Sequence, residues 1–368
     1  MENLKRELSI IIAAGGTGGH LFPAQALALE IFQKYPQVRI TFVGAGLASN
    51  GYFKKDLFPF LDIKSGTPIR KNPIKILKAL FAIGRGLERC IRYFRKAPPD
   101  LVVGFGSFHT FPALLAAKLK GVPILIFESN ALPGRVNRFC SHWAKVSAIQ
   151  FSHASDYLKG KSVCVQMPLL KHDERISKDK ARDYFQLDRE TLTLLIFGGS
   201  QGAQAINRFF CGAIEPLLKQ GIVFQVIHIV GNDERAEKLR SFYKKHGVRA
   251  SLKAFEDKME FAWTAADLSI CRAGSATIAE LIEFAVPSIL IPYPYGTENH
   301  QGKNAAYLAD EIQGGLAFSE KTFNAQLLAT AIQDLLLGEQ LTSMKNSLLE
   351  FKKVQSKQDL CSLVFETI

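Results

Sequence analysis

The sequence holds two similar openings, each made of an apolar run, a glycine-rich loop and a helical pattern. The first joins the apolar run Ser9–Ala14 to the loop Gly15–His20, and the second joins Thr191–Phe197 to Gly198–Gly202. A fully apolar strand followed by a glycine loop and a helix is typical of a parallel sheet that helices cover on both faces. The repeat therefore predicts an α/β chain with two doubly wound, Rossmann-like domains.

Apolar runs of strand length alternate with helical patterns through both halves. A length of 368 residues suits two domains, because single hydrophobic cores stop growing at about 250–300 residues. The longest predicted helix covers Pro73–Lys96. The remaining predicted strands are Val38–Val43, Leu101–Val103, Val122–Phe127, Val146–Phe151, Ile222–Val230, Asp267–Cys271 and Ser288–Ile291.

A charged, irregular segment at 171–190 separates the two halves and predicts a linker. The domains would then cover residues 1–170 and 191–368. The final helix could pack back on the N-terminal domain. Ligands of doubly wound sheets bind at the carboxyl ends of the strands. We therefore expect the two domains to face a cleft that holds the site.

The cysteines and the apolar runs narrow the class of protein. Six cysteines occur singly and none forms a Cys-x-x-Cys pair, which argues against structural zinc or a disulfide framework and favours a reducing compartment. No apolar run reaches the roughly 18 residues that a membrane-spanning helix needs. Leu8–Ala14 leads directly into a glycine loop, so we interpret it as a buried strand and not as a signal-peptide core.

The positive charge is concentrated in one segment. The chain carries 46 Lys and Arg against 34 Asp and Glu, a net charge of +12. Between Arg70 and Lys96 basic residues recur throughout, whereas Glu88 is the only acid. A local excess of this kind indicates a polyanionic partner, which could be a membrane surface, a nucleic acid or a phosphorylated substrate.

The same segment has the pattern of a helix with a basic stripe. Asn72-Pro73 is a favourable helix start, with a capping residue before a proline at the first position. Such a helix could dock on anionic lipid, or it could be a solvated helix that covers the sheet. The residues predicted to contact a membrane are Lys71, Lys75, Ile76, Lys78, Leu80, Phe81 and Arg85.

Both glycine loops predict phosphate or diphosphate binding, because backbone N–H groups at a helix start attract anions. The first loop has Leu21 where a dinucleotide fingerprint has its third glycine, and no acid follows the second strand. These departures argue against a nicotinamide enzyme. His20 closes the loop, where an imidazole could act as a general base or bond an oxyanion.

A third strand-to-helix segment, Cys271–Glu280, is rich in small residues that leave backbone N–H groups open to a diphosphate. Glu280 follows about one and a half turns later, within reach of a pair of sugar hydroxyls. Alternatively, it could be a solvated carboxylate. The polar loop Asn299–Ala305 is dense in side chains that can bond sugar hydroxyls.

Four separated motifs occur in the order found in one enzyme family. They are Gly15-Gly16-Thr17-Gly18-Gly19-His20-x-x-Pro23-Ala24, Gly198-Gly199-Ser200-Gln201-Gly202-Ala203, Arg272-x-Gly274-x-x-Thr277-x-x-Glu280 and His300-Gln301-x-x-Asn304-Ala305. With these motifs the chain resembles the MurG family of bacterial N-acetylglucosaminyltransferases from Leu8 to about Leu336. The resemblance implies a GT-B fold and the conversion of lipid I to lipid II in peptidoglycan synthesis.

The resemblance also implies roles for individual residues. Thr17, Gly18 and Gly19 match an acceptor-side loop that also touches the donor sugar, and His20 matches the proposed general base. A carboxylate in the cleft is the alternative base. The positions matched to UDP-GlcNAc binding are Asn130 near the sugar, Ser200 at the diphosphate, the backbone of Glu256 at uracil, the diphosphate and ribose segment Ser275, Ala276, Thr277, Ile278, Ala279 and Glu280, and Gln301 at the sugar hydroxyls.

Three positions depart from the family pattern. The arginine expected on the donor diphosphate is Leu170 here, and Lys171 could take its place only after a small shift. The usual Gly-x-Gly-Gly-Tyr is Gly104-Phe105-Gly106-Ser107-Phe108, and the usual His-Glu-Gln-Asn is Phe127-Glu128-Ser129-Asn130. These departures bear on the details of diphosphate and sugar binding.

The resemblance implies UDP-GlcNAc and lipid I as substrates, with no metal and no cofactor. It also implies a peripheral protein on the cytoplasmic face of the bacterial inner membrane, in contact with anionic lipid, with other cell-wall enzymes as possible partners. The expected pathway is cell-wall synthesis, and through it cell shape and division.

Two alternatives remain, another GT-B enzyme such as a UDP-GlcNAc 2-epimerase, and a basic nucleic-acid-binding protein. The aliphatic residues between the basic ones argue against nucleic acid as a partner.

Overall fold

The computed structural model describes residues 8–69, 72–169, 176–199, 203–354 and 358–368. The chain divides into two compact units, Met1–Lys171 with Lys357–Ile368, and His172–Ser356. Each unit is built on one parallel sheet with helices between its strands. The prediction of two Rossmann-like α/β domains is confirmed.

The first unit is a seven-stranded sheet whose neighbours are all parallel. Its elements are β1 (Ser9–Ala13), α1 (Gly18–Lys34), β2 (Arg39–Ala45), β3 (Phe60–Ile63), α2 (Pro73–Lys96), β4 (Leu101–Gly104), α3 (Phe111–Lys120), β5 (Ile124–Glu128), α4 (Arg135–Cys140), β6 (Val146–Ile149) and β7 (Ser162–Cys164). The strand order is β3-β2-β1-β4-β5-β6-β7. The order changes direction between β1 and β4, and doubly wound sheets bind ligands at the carboxyl ends of such a pair.

The second unit repeats the plan with six parallel strands. Its elements are α5 (Lys178–Tyr184), β8 (Thr193–Phe197), α6 (Gln204–Lys219), β9 (Gln225–Ile229), α7 (Asp233–Lys245), β10 (Ala250–Lys253), α8 (Met259–Ala265), β11 (Leu268–Cys271), α9 (Ser275–Phe284), β12 (Ser288–Leu290), α10 (His300–Ala306), β13 (Gly315–Ala317), α11 (Ala325–Leu337) and α12 (Gln340–Val354). The order is β10-β9-β8-β11-β12-β13, with its change of direction between β8 and β11.

Helix α2 begins as the sequence predicts. The Asn72 side chain accepts hydrogen bonds from the backbone N–H groups of Ile74 and Lys75, so it caps the helix start. Gly86 lies on the buried face, where a Cβ would be 2.0 Å from the carbonyl oxygen of Lys64. The helix therefore packs closely on the chain that follows β3, and this contact requires a residue without a side chain.

The predicted linker over 171–190 is wrong for the part that the structure describes. Ser177 caps α5, and α5 packs against α8 in the second unit. Arg182 of α5 is buried, and its guanidinium lies 2.7 Å from a carboxylate oxygen of Asp267. Lys178 bonds the other oxygen of the same carboxylate. A buried ion pair of this kind makes α5 part of the second unit, which begins at His172 and not at 191.

The C-terminal helix α13 (Leu360–Thr367) lies on the first unit. The rings of Tyr35 and Phe365 are 4.1 Å apart, and the Lys145 ammonium donates to the backbone oxygen of Thr367. The last residues of the chain, Lys357–Ile368, therefore belong to the first unit, and the second unit ends at Ser356 and not at residue 368.

Candidate active site

The first glycine loop lies at the carboxyl end of β1 and leads into α1. Gly16 has φ of 90°, in the left-handed region that favours glycine. A Cβ at Gly18 would lie 2.7 Å from the ring of Phe22, so a side chain here would have to displace that ring. Thr17 is the N-cap, with extended backbone, and its side chain does not cap the backbone N–H groups of the helix. The first N–H groups of a helix have no partner within it, so this loop can hold an anion or a sugar oxygen.

His20 lies in the first turn of α1 and is half-buried. Its Nδ1 is 3.4 Å from the Thr17 hydroxyl oxygen. The structure thus brings Thr17, Gly18, Gly19 and His20 together at one end of the sheet. An imidazole here can accept a proton from a hydroxyl bound over the loop.

Asn130 follows β5 and is fixed by a buried carboxylate. Glu128 Oε1 accepts from the backbone N–H of Asn130 at 2.9 Å and from its side chain at 3.1 Å. Its Oε2 accepts from the N–H of Gly134 and from the side chain of Asn137. Burial raises the pKa of Glu128, and the four donors oppose that rise. Glu128 therefore holds the loop that presents Asn130.

In the second unit, α9 starts directly after β11 with the small residues that the sequence pattern singled out. Gly274 is the N-cap, with extended backbone. Ser275, Thr277, Ile278 and Ala279 are buried, whereas Ala276 is half-buried. Small, packed residues leave the N-terminus of the helix accessible to an anion.

Two buried polar contacts hold this helix start in place. Arg272 donates to the carbonyl oxygen of Ile291 at 2.9 Å and forms an ion pair of 2.5 Å with Glu320. Asn304 is fully buried and donates to the carbonyl oxygen of Ala273. The loops after β11 and β12 are therefore fixed relative to each other, so the start of α9 is preformed.

Glu280 is partly buried on α9, one turn and a half from the helix start. Burial, with a smaller contribution from the nearby Glu260 carboxylate, raises the pKa of its carboxyl to about 7. The indole N–H of Trp263 opposes the rise without meeting hydrogen-bond geometry. No cation of the described residues contributes to this pKa. Burial of an uncompensated carboxylate is costly, and such costly groups are typical of binding sites.

Gln301 and Glu256 are each fixed by a hydrogen bond to the backbone. Gln301 lies in α10, which packs on α9. Its side-chain oxygen accepts a hydrogen bond from the backbone N–H of Tyr293 at 2.9 Å. The buried Glu256 carboxylate accepts from the N–H of Lys258 and pairs with Lys253. No hydrogen bond to a described residue engages the backbone N–H or C=O of Glu256. Its peptide groups can therefore pair with a base edge.

Three of the predicted residues lie outside the described residues. They are Ser200 in the second glycine loop, Lys171 beside the position where the family has an arginine, and Lys71 before α2. On either side of Ser200, Gly199 has φ of 83° and Ala203 is the N-cap of α6.

The exposed face of α2 carries large apolar side chains between basic ones. Ile74, Leu77, Leu80 and Phe81 are each more than half exposed. Lys75, Lys78 and Arg85 are also exposed, whereas Ile76 is only half-exposed. The exposed apolar side chains thus centre on Leu77, Leu80 and Phe81, with Ile74 at the start of the helix. None of the described helices has the length and apolar character of a bilayer span.

A second histidine, His109, lies against the first glycine loop and was missed from the sequence. The sequence feature that could have indicated it is the pair of polar residues Ser107 and His109 shortly after a predicted strand. The described residues do not bring three or more His, Cys, Asp or Glu side chains into an arrangement that could hold a metal ion.

Two family models match most of the chain. The N-terminal domain model of glycosyltransferase family 28 matches residues 10–149, and the C-terminal domain model of that family matches residues 193–360. The two matched regions begin at β1 and β8, which open the two sheets.

Known relatives match over nearly their whole lengths. A protein of Protochlamydia amoebophila is 42% identical, with 97% of this chain and 95% of the relative aligned. A protein of Desulforamulus reducens is 33% identical over 96% and 97%. Both are named UDP-N-acetylglucosamine–N-acetylmuramyl-(pentapeptide) pyrophosphoryl-undecaprenol N-acetylglucosamine transferase. The crystal structure of Acinetobacter baumannii MurG superposes with a TM-score of 0.75 at 27% identity, covering 98% of this chain and all of that one.

The two Rossmann-like parallel sheets and the structural similarity to the Acinetobacter baumannii MurG place the chain among glycosyltransferases of the GT-B type. Within that class, the chain belongs to glycosyltransferase family 28.

Proposed function

We propose that this protein transfers GlcNAc from UDP-GlcNAc to the 4-hydroxyl of MurNAc in undecaprenyl-diphospho-MurNAc-pentapeptide, the step from lipid I to lipid II in peptidoglycan synthesis. The observation that carries this proposal is the end-to-end 42% identity with a relative of that name. The fixed start of α9 supports it, because a diphosphate donor needs such a site.

The proposed transfer is a single inverting displacement. The acceptor 4-hydroxyl oxygen bonds to C1 of GlcNAc, the bond from C1 to the diphosphate oxygen breaks, and UDP leaves with the electron pair. The helix start at Ser275, with that of α6, would stabilise the negative charge on the departing diphosphate, so the proposal requires no metal or other cofactor. His20 would take the hydroxyl proton, because it lies beside a loop that can hold the acceptor.

Most residues of the proposed donor site belong to the second unit, whereas Lys171 and Asn130 belong to the first. Ser275 to Ala279 would bind the diphosphate with Ser200 and Lys171, and Glu280 would bind the ribose. The backbone of Glu256 would pair with uracil, which its unengaged peptide groups support. Gln301 and Asn130 would contact the GlcNAc, and Thr17, Gly18 and Gly19 would hold the acceptor.

The transfer assay tests the function directly. We expect the protein to move labelled GlcNAc from UDP-GlcNAc to a lipid I analogue, and to release one UDP for each sugar moved. The measurement runs beside an assay for epimerisation of free UDP-GlcNAc. Epimerisation without transfer would favour the 2-epimerase. The absence of both reactions would contradict the proposed chemistry.

We further propose that the exposed face of α2 binds the cytoplasmic surface of the bacterial inner membrane. Leu77, Leu80 and Phe81 would enter the headgroup region while Lys75 and Lys78 pair with anionic lipid. Toward the C-terminus of the helix, an open cavity of about 490 Å³ is lined by five cations and one acid, which suits anionic headgroups. The residues of this cavity are Leu61, Lys64, Arg85, Glu88, Arg89, Arg92, Tyr93 and Lys96.

Charge reversal on this face tests the membrane proposal. Changing Lys75, Lys78 and Arg85 together to Glu is expected to weaken binding to anionic vesicles by about tenfold at physiological salt, where screening reduces a contribution of about 1 kcal/mol per residue. Co-sedimentation measures the effect. The matched control reverses three exposed basic residues of α7, Arg240, Lys244 and Lys245.

The control variant changes net charge by the same amount, so it should bind like the parent protein. Equal loss in both variants, or equal binding of the parent to neutral and anionic vesicles, would contradict a docking face on α2.

A further inference from the structure

His109 occupies the ligand-binding end of the first sheet. It follows β4, and β1 and β4 are the pair between which the strand order changes direction. Ligands of doubly wound sheets bind beyond the carboxyl ends of that pair. His109 therefore faces the same end of the sheet as the first glycine loop.

The imidazole lies directly on that loop. A Cβ at Gly16 would be 3.2 Å from Nδ1 and 3.5 Å from Cε1 of the ring, and a Cβ at Gly15 would be 2.9 Å from the His109 Cβ. The two glycines thus provide the space that the histidine fills. The edge of the ring that bears Nδ1 and Cε1 faces Gly16, and residue 109 as a whole is exposed.

Ser107 fixes the ring. Its hydroxyl oxygen accepts from the backbone N–H of His109 at 3.1 Å and lies 2.7 Å from Nδ1. No other described residue bonds the ring, so Nε2 remains for a ligand. Burial against the loop lowers the pKa of His109, so the ring is neutral at neutral pH and keeps both a donor and an acceptor nitrogen.

Ser107 has a backbone conformation that residues with a side chain rarely adopt. Ser107 has φ of 73°, in the left-handed region where residues other than glycine are strained. Glycine would fit that backbone without strain, but it would lose the hydroxyl that orients the imidazole. The strain thus indicates that orienting the ring has a use.

We propose that His109 is a specificity-determining contact to the acceptor, whose sugar or diphosphate oxygen bonds Nε2 of an imidazole that Ser107 holds on the first glycine loop. The inference rests on the proposed function, because it assigns this loop to the acceptor. Ser107 acts through His109 and is a positioning residue.

The test compares variants that keep or remove the bond. His109→Phe retains an aromatic ring on Gly16 but has no polar atom, and it should raise the acceptor KM about tenfold, the effect of losing one hydrogen bond to an oxygen that is charged or nearly so. His109→Gln places an amide near the position of Nε2 and should recover part of the affinity. Ser107→Gly should raise the acceptor KM about threefold with no loss of thermal stability.

Affinity for a short-chain lipid I analogue is measured by titration beside turnover, with UDP affinity as the folding control. Parent turnover tests the proposed function, whereas the variants' acceptor affinity tests this inference, so the two failures are distinguishable. Parent-like acceptor affinity in His109→Phe would overturn the proposal. A lower kcat at unchanged acceptor affinity would also overturn it, because the ring would then serve the chemical step and not binding.

Discussion

Replacing His20 by alanine is expected to lower kcat for GlcNAc transfer by about 10²- to 10⁴-fold, the usual contribution of a positioned general base. Under the proposed mechanism, this imidazole takes the proton of the attacking hydroxyl. UDP affinity should stay at the parent value, because His20 is not among the proposed nucleotide contacts. Steady-state rates and UDP titration measure the two quantities.

The control for this variant is His153→Ala, which removes an exposed histidine of the same unit. It should keep parent activity and parent stability. Added imidazole should restore part of the rate to His20→Ala, since it can occupy the space of the lost ring. Near-parent kcat in His20→Ala would contradict the proposed base and leave a carboxylate as the alternative.

The sequence predicts the centres of both sheets but none of their edges. The predicted strands are central in the sheets, where helices cover both faces and nearly every residue is apolar. The four edge strands are missing from the prediction. They are β3, β7, β10 and β13, and each includes polar or partly exposed residues. One exposed side is enough to remove the continuous apolar run on which the prediction rests.

For α2, the sequence predicts the start of the helix correctly and its apolar face only in part. Asn72 caps the helix through local contacts that a short motif specifies. Ile83 is buried on the sheet side, whereas Leu77 and Phe81 are exposed. All three are apolar, so only the packing partner distinguishes a core contact from a docking surface.

The candidate site shows the same division between local and distant causes. Gly274 and the helix start after it follow from a motif within one strand-to-helix turn. The buried Arg182–Asp267 pair joins residues far apart in the sequence, so the pattern at 171–190 gave no sign of a packed helix. His109 contacts Gly16 across two strands, and a prediction from local patterns misses such a contact.

Replacing Glu280 by alanine is expected to weaken UDP binding by about 10- to 100-fold. A charge-assisted hydrogen bond contributes about 1.5–3 kcal/mol, and about 1.4 kcal/mol corresponds to a factor of ten. The parent should bind UDP better than 2′-deoxy-UDP, and the variant should lose most of that preference. Calorimetry with both nucleotides measures it, and Glu283→Ala on the same helix is the control. Unchanged discrimination in a folded variant would exclude a ribose contact.

The Glu280 carboxyl should also destabilise the folded protein, and the destabilisation should grow as the carboxyl becomes ionised. Its pKa rises from 4.5 to about 7 on folding, so below pH 4.5 it is protonated in both states and has no effect. As pH rises toward 7, the unfolded chain ionises first and the folded protein loses up to about 3 kcal/mol. Glu280→Gln should therefore unfold at a higher temperature than the parent at pH 8 and at nearly the same temperature at pH 4. Glu283→Gln, an exposed residue of the same helix, should show no such gain. A gain of equal size at both pH values would contradict this origin, because only an ionisable group in a buried position gives a difference that grows with pH.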